Sequence, residues 1–330
     1  MCFAHASPFS SGSHFHDPEQ YQLAIRGGDS LLTILAAGHF GADLMTVKVG
    51  RLTLQRGHEN LARLSTTSMP PNIVGILGWP GDGPFPIVRG VQIRRGEWMC
   101  LSLGMQSHHR TFAPVEYVSL TLDANDLAQA AIDMIGAPVA VPAGKVLRVP
   151  EQLGAWLFSV IAAATRAVAT ADGVFGSPLA ADALEQALLR PMIMSLTHGE
   201  AIKSDLPRGR RIAVVKRFEE AVEANLMDPP TIPDLCRSIG VSERALRILC
   251  QEQLGISPLR FVTLRRLHLA RRVLLQSDHH SASVTQIAMD HGFWEFGRFA
   301  VTYKALFGES PSVTLRRSPA DWRAEMRSAS

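Results

Sequence analysis

Side chains that can read base pairs in DNA recur at helical spacing around residue 247. They are Glu243, Arg244, Arg247 and Gln251, and Ile248 lies beside them. Leu246 and Leu249 fall on the opposite face, which we expect to be buried. Arginine, glutamine and glutamate can form hydrogen bonds to base edges in the major groove. The pattern therefore places side chains suited to base readout on one face of a predicted helix.

This helix belongs to a segment that occurs twice. One copy covers residues 232–258 and the other covers residues 284–311. Each copy contains a short predicted helix, a glycine turn, a longer helix and the pattern Gly-x-Ser-Pro. Gly240 and Gly292 allow the sharp turn, and Ser242 is an N-cap candidate for the first long helix. Two helices held at a steep angle in this way are typical of helix-turn-helix units.

A helix predicted over about residues 258–276 joins the two copies. One side of it is apolar, and the remaining positions carry Arg260, Arg265, Arg266, Arg271 and Arg272. These arginines predict either contacts to DNA phosphates or an ordinary solvated face. A rigid connecting helix can place two reading units roughly 34 Å apart, which is one turn of DNA.

The charge distribution agrees with a polyanionic partner for this part of the chain. Residues 208–330 hold 19 Lys and Arg against 13 Asp and Glu, a net charge of +6. Residues 1–207 hold 14 against 17, a net charge of −3. A basic third beside a slightly acidic remainder indicates that the basic third alone binds nucleic acid.

Residues 210–318 resemble the DNA-binding domain of the AraC/XylS family of transcription regulators. The matching residues include Ser242, Leu246, Gly255-Ile-Ser-Pro258, Arg266-Leu267, Ala270, Leu274, Ile287-Ala288, Gly292-Phe293, Phe299, Tyr303-Lys304 and Phe307-Gly308 with Ser310-Pro311. The resemblance implies a seven-helix domain with two helix-turn-helix units that read consecutive major grooves.

The resemblance also assigns roles to individual residues. It places base contacts on Arg244, Arg247 and Ile248, and in the second unit near Phe296, Gly297, Arg298, Ala300 and Val301. We predict base readout by Glu243, Arg244, Arg247, Ile248, Gln251 and Arg298. The second unit would grip the backbone through Arg298 and Lys304, or contact thymine methyls. Backbone contacts are predicted for Ser242, Arg265, Arg266, Arg271 and Lys304. Trp294 is either a corner plug in the core, which is favoured, or an exposed contact.

The first half of the chain is rich in predicted strands. Apolar and β-branched runs alternate with turn signals over Leu44–Leu54 around Gly50, Ile73–Leu77, Ile87–Ile93, Met99–Leu103 and Tyr117–Leu122. Short strands of this kind favour a sandwich or barrel. A helix is predicted over Asp126–Ile135, with Gly136 ending it. The predicted segments are a flexible tail at 1–18 and a β-rich domain at 19–149.

Two helices are predicted in the region 150–198. Pro150 begins the first, whose apolar stripe includes Trp156, Leu157 and Ile161. Ser177 can cap the second, and Pro191 is expected to kink or shorten it. Their stripes could pack on the β-rich region or on a second copy of the chain, and the first arrangement is favoured. A polar linker at 199–209 and a tail at 319–330 complete the division.

The first half, with these helices, resembles the cupin-like sensing and dimerising region of the same family. The resemblance implies a jelly-roll that binds a small organic effector, and a homodimer formed through the helices. Effector contacts cannot be assigned from the sequence. Side chains suited to an aromatic or carboxylate ligand are Trp79, Arg94, Arg95, Trp98 and His108, although each also fits a structural role.

Catalysis, cofactors, metals and membranes are not predicted. A cupin oxygenase needs several His and a carboxylate on one side of the sheet, whereas His108 and His109 should point to opposite faces. Scattered cysteines, with Cys236 and Cys250 expected to be buried thiols, fit a cytoplasmic protein. No apolar run is long enough to cross a bilayer.

Two functional interpretations remain open. The first is an effector-responsive transcription regulator, an activator by family resemblance, with double-stranded DNA and RNA polymerase as partners. The second is a DNA-binding regulator whose β-rich half is a dimerisation or protein-interaction module without a small-molecule ligand. A cavity of a few hundred Å³ would favour the first, and a solidly packed barrel would favour the second.

Overall fold

The computed structural model describes residues 9–112, 114–170, 178–202, 207–225 and 230–317. The predicted cap Ser177 and the predicted tail at 319–330 lie outside these residues. No helix in the described ranges combines the length and apolarity that a bilayer span requires.

The first half of the described chain consists mainly of antiparallel strands. In chain order they are β1 (Phe9–Phe15), β2 (Asp29–Ile34), β3 (Ala42–Val49), β4 (Leu52–Glu59), β5 (Arg63–Ser68), β6 (Ile73–Gly78), β7 (Ile87–Val88), β8 (Val91–Gln92), β9 (Glu97–Leu101), β10 (Gln106–Arg110), β11 (Val115–Asp123), β12 (Val146–Arg148) and β13 (Glu200–Ala201). The five strand segments expected from the sequence are all present, with Gly50 in the turn between β3 and β4.

These strands form two sheets. The larger has eight strands in the order β1-β3-β4-β11-β6-β9-β12-β13, and the smaller has the order β2-β5-β10-β7-β8. Apolar side chains from both sheets, such as Ile34, Leu44 and Met99, belong to one buried cluster. The two sheets therefore enclose a common interior.

Three helices cover the outer face of the larger sheet. They are α2 (Ala124–Ile135), α3 (Glu151–Thr170) and α4 (Pro178–His198). Leu157 and Ile161 of α3 and Leu188 of α4 are buried with Leu54 and Leu120 of the sheet. The favoured packing of these helices within the chain is confirmed.

Details of these helices confirm one prediction and correct two others. Gly136 ends α2 in the left-handed conformation, as expected. Trp156 does not lie in the buried stripe of α3, because its side chain is 40% exposed. Helix α4 is not shortened at Pro191 but continues to His198. The neighbours Met192 and Ile193 are fully buried, and their packing offsets the hydrogen bond that proline removes.

The last third of the described chain is helical. Its helices are α5 (Pro207–Ala224), α6 (Ile232–Ile239), α7 (Glu243–Gln253), α8 (Pro258–Gln276), α9 (Val284–Asp290), α10 (Phe296–Phe307) and α11 (Pro311–Leu315). Helix α8 links the α6–α7 pair to the α9–α10 pair. These are called the first pair and the second pair below.

The helical region is packed against the sheets rather than tethered to them. Leu264 and Leu267 of α8 share a buried apolar cluster with Ile34 of β2. The His268 Nε2 atom accepts a hydrogen bond from the Ile34 backbone N–H at 3.0 Å. Arg265 donates to the Thr33 hydroxyl at 3.2 Å. One face of α8 is therefore part of an interface with the smaller sheet.

A buried ionic cluster lies at the end of this interface. The Arg271 side chain donates to Asp17 at 2.7 Å and to Glu309 at 2.8 Å, and Glu19 lies 3.6 Å away. Asp17 also caps α1 (Pro18–Ala24) by accepting from the backbone N–H of Glu19. Burial disfavours the Arg271 cation, but Asp17 and Glu19 outweigh this effect and hold its pKa well above its usual range. The cluster joins the N-terminal residues to α8 and to the start of α11.

The predicted segment boundaries require three corrections. Residues 9–18 are not a loose tail, because β1 pairs with β3 and Asp17 binds Arg271. Strands β12 and β13 pair with each other on either side of α3 and α4, so the helical region is part of the larger sheet's domain. Helix α5 begins at Pro207, within the predicted linker.

Replacing Arg271 should weaken the interface between the β-rich half and the helical half. We expect Arg271→Ala to lower the free energy of unfolding by about 3–5 kcal/mol, because buried carboxylates lose their counter-ion. Urea unfolding followed by circular dichroism measures this loss. Arg272→Ala, which changes a half-buried neighbour, is the matched control. Equal losses in the two variants would contradict a special role for the cluster.

Acid should weaken the same interface through His268. Burial, aided by Arg265 and Arg271, lowers the pKa of His268 to about 3. The folded state keeps this ring neutral, so its contribution to stability is present above pH 6.5 and is lost as the pH falls toward 3. Asp17, whose pKa burial raises to about 6, changes stability in the opposite direction.

The His268 contribution is isolated by a variant. We expect the stability difference between the wild type and His268→Gln to shrink steadily as the pH falls from 6.5 to 3. Chemical unfolding at each pH measures this difference. His279→Gln, at an exposed position, should give a difference that does not change with pH. A constant difference for His268→Gln would show that the ring is not held neutral.

Candidate nucleic-acid interface

Local capping and turn residues hold the first pair together. Thr231 and Asp234 form a reciprocal capping box at the start of α6. Gly240 ends α6 with a φ of 70°, and the Ser242 hydroxyl caps α7 by accepting from the Ala245 N–H at 3.2 Å. Leu246 and Cys250 are fully buried against the domain core. These contacts orient α7 with its opposite side toward solvent.

The solvent side of α7 carries the side chains that the sequence singled out. Those that are exposed are Glu243, Arg244, Arg247, Ile248 and Gln251. Both arginines are therefore on one accessible face together with an amide and a carboxylate. Ser242 is also exposed, but its hydroxyl is already engaged by the helix cap.

The second pair has the same plan with different side chains. Gly292 provides the turn with a φ of 71°, and Phe293 packs against Phe299 with ring centroids 4.9 Å apart. Tyr303 is fully buried and donates to the Thr314 hydroxyl at 2.9 Å. The aromatic core thus fixes α10 as the leucine and cysteine core fixes α7.

The solvent side of α10 is less polar than that of α7. Arg298 and Lys304 are exposed, as are Gly297 and Val301. The prediction that Trp294 lies in the core was wrong, because its side chain is 72% exposed. Phe293 and Phe299 already fill the corner, which leaves no need for a second aromatic plug.

The arginines of α8 do not form the exposed row that the sequence suggested. Arg265 and Arg271 are buried against the β-rich region, and each has a carboxylate partner. The partner of Arg265 is Glu223, at 2.5 Å. Arg266 donates to the His291 carbonyl at 2.6 Å and stacks on Phe293. These side chains therefore stabilise the fold. Among the arginines of α8, Arg260 is exposed. The phosphate contacts predicted for Arg265, Arg266 and Arg271 therefore do not fit this arrangement.

A second candidate site lies between the sheets. This cavity has a volume of about 60 Å³, and its lining mixes apolar side chains such as Met69 and Leu77 with polar and aromatic ones that include Ser65, Thr67, Trp79, His109, Tyr117 and Thr121. Burial, with the nearby Arg63 charge, lowers the pKa of His109 to about 3, so the ring is neutral. His108 faces the other way, as expected, and pairs with Glu219 of α5.

Arg63 is the charged group of the cavity lining. Two of its nitrogens, Nε and Nη2, donate to the buried Glu59 carboxylate, which also accepts from the Tyr21 hydroxyl at 2.8 Å. Its Nη1 atom is buried with no hydrogen-bond partner among the described residues. Of the side chains named from the sequence as suited to an effector, Trp79 lines the cavity, whereas Arg94 and Arg95 are exposed elsewhere.

Residues of the cavity and of the buried ionic cluster were missed by sequence reasoning. The sequence Asp17-Pro18 is a helix-start signal. It could have predicted helix α1 and so excluded a loose tail that extends to residue 18. No comparable signal marked Arg63 or His109, because a charged residue in a polar strand resembles a surface position. The pairing of Arg271 with Asp17 spans 254 residues and leaves no local pattern.

Taken together, two helix pairs with glycine turns and accessible outer helices have the plan of a helix-turn-helix DNA-binding protein. A family model described as a helix-turn-helix domain matches residues 235–317, which include most of both pairs. The XylDLEGF operon transcriptional activator 3 of Pseudomonas putida is 35% identical over 107 residues, 32% of each chain. The predicted resemblance of the C-terminal residues to AraC/XylS-type transcription regulators is therefore confirmed.

Two further proteins extend the comparison. The probable thc operon regulatory protein of Rhodococcus erythropolis is 27% identical over 208 residues, 62% of this chain and 63% of that protein. That match is longer than the helix-turn-helix region. The solved structure of a probable AraC family transcriptional regulator from Rhodopseudomonas palustris CGA009 is 40% identical, covers 32% of this chain and 96% of that one, and has a TM-score of 0.30. The chain thus spans a third to two thirds of the two operon regulators.

Substitutions on α7 and α10 should separate base reading from backbone binding. We expect Arg247→Ala to lose roughly 1–3 kcal/mol on a preferred duplex and to relax the preference at one base pair. Lys304→Ala should weaken binding to all duplexes alike and lower the salt slope by about one. Titrations of preferred and scrambled duplexes over a range of salt concentrations measure both effects. Identical, sequence-blind losses in the two variants would show that α7 does not read bases.

Proposed function

We propose that the protein is a sequence-specific transcription regulator that reads two successive major grooves. The observation that carries this proposal is the pair of accessible outer helices, α7 and α10, joined by the single helix α8. In this proposal Arg244, Arg247 and Gln251 contact base edges, with Glu243 and Ile248 beside them. Arg298 contacts bases or backbone in the second groove, and Lys304 and the exposed helix start near Ser242 contact phosphates.

The proposed role is activation. The support for this part is that the Pseudomonas putida relatives are operon transcriptional activators. An activator of this kind would contact RNA polymerase as well as DNA. A homodimer would place four reading helices on DNA, and the exposed Trp156 of α3 supports a contact through the helices at 150–198.

We further propose that the two-sheet region is a cupin-like jelly-roll that senses a small organic effector. The unpartnered Arg63 Nη1 atom in the cavity lining supports a ligand with a hydrogen-bond acceptor, and the apolar part of the lining suits its organic body. The volume of about 60 Å³ accommodates a few water molecules, so an organic effector would have to displace side chains such as Met69.

The same small volume favours the second candidate function. In that alternative the two-sheet region is an interaction and dimerisation module, and the cavity holds only ordered water. A leucine at Ser65 would fill the cavity. If Ser65→Leu abolishes a stabilisation of the protein by small carboxylates, the sensor is supported. If no carboxylate raises the melting temperature of the wild type, the module is supported.

The DNA-binding proposal is tested by selection with the full chain on a random duplex pool. We expect an enriched motif whose two halves lie about one helical turn, roughly 10 base pairs, apart. The selection should be repeated over several salt concentrations, with Arg247→Ala as the matched variant. Enrichment of no sequence, together with weak and steeply salt-dependent binding, would overturn the proposal.

A further inference from the structure

The centre of the outward face of α10 is apolar. Val301 is 71% exposed, and Trp294 just before the helix is 72% exposed. Arg298 and Lys304 lie three residues before and after Val301, so a cation flanks it on each side along the helix. Larger groups of exposed apolar side chains commonly mark contacts with a partner, and Phe296, 39% exposed, adds a third such side chain to Trp294 and Val301. The flanking cations favour a partner that is negatively charged around an apolar spot.

Gly297 provides a second and independent observation on the same face. A Cβ atom added to Gly297 would meet nothing within 4 Å, so the domain core does not exclude a side chain there. The φ angle of Gly297 is not positive, so the backbone conformation at this position does not require glycine. What glycine adds at an exposed position is close approach of the helix backbone to another molecule.

The major groove of DNA offers an apolar group in a polyanionic surrounding. It is the C5-methyl group of thymine, which projects into the groove and is contacted by small apolar side chains. We propose that the second pair recognises thymine methyl groups, with Val301 as the contacting residue and Gly297 allowing the approach. Arg298 and Lys304 hold the flanking backbone. This inference rests on the proposed function and specifies what the second reading helix recognises.

The two reading helices would then differ in chemistry. The face of α7 has two exposed arginines and a glutamine, which suit the acceptors and donors of guanine and adenine. The corresponding face of α10 has Val301 and, at Gly297, backbone that no side chain covers. The inference therefore predicts an operator whose second half depends on methyl groups more than on hydrogen bonds.

Deoxyuridine tests the inference, because it pairs as thymine does but lacks the methyl group. The duplex selected by the full chain is synthesised with deoxyuridine in place of each thymine in its second half. We expect about a fourfold loss of affinity for each contacted methyl, the value of one buried methylene-sized group. Val301→Ala should weaken binding to the thymine duplex and have little effect on the deoxyuridine duplex. Arg247→Ala, the matched control, should weaken binding to both duplexes by the same factor.

Gly297→Ala distinguishes close approach from a structural role. We expect the melting temperature of this variant to stay the same or rise, since alanine favours helix, while affinity for the thymine duplex falls. If the variant instead loses melting temperature, the glycine serves the fold and the approach argument fails.

The remaining outcomes separate this inference from the proposed function. If the selection enriches no sequence, the regulator proposal fails, and the inference fails with it. If a motif is enriched but Val301→Ala has the same effect on both duplexes, the inference is overturned and the regulator proposal stands. If Val301→Ala and Trp294→Ala bind DNA normally but lose activation in a transcription assay with RNA polymerase, the face contacts protein and the inference is overturned.

Discussion

The burial of Arg271 is the constraint on which the arrangement of the two halves depends. A guanidinium group cannot be removed from water without carboxylates close by, since an unpaired buried charge is strongly destabilising. Asp17 supplies one carboxylate from the start of the β-rich half, and Glu309 supplies another from the helical end. Carboxylates from both halves thus surround this charge. The same requirement orders the residues around Asp17, which cap α1 and continue from β1.

Helix α8 therefore has two tasks that the sequence had assigned to different parts of the molecule. It joins the first and second pairs, and its opposite side packs on β2 through Arg265 and His268. The spacing of the two reading helices and their attachment to the sheets thus depend on the same nineteen-residue element. A change in β2 would act on α8 through direct contacts, without an intervening linker.

Features with local sequence signals could be predicted, whereas features that depend on contacts between distant residues could not. The helix pairs were predicted because their signals are local: Gly240, Ser242 and the buried spacing of Leu246 are neighbours. Strands β5 and β10 were missed because they present Ser, Thr, His and Arg instead of alternating apolar residues. The α8 arginines were misplaced because periodicity shows which side of a helix is polar. It cannot distinguish water from a distant carboxylate such as Asp17.

The pairing of Asp17 with Arg271 also bears on how the protein is made. The two residues are 254 positions apart, so translation at about 5–20 residues per second separates their synthesis by roughly 10–50 s. Asp17 therefore meets its partner only after the residues between them have been synthesised. Until then the acidic start of α1 lacks this counter-ion and stays accessible to water.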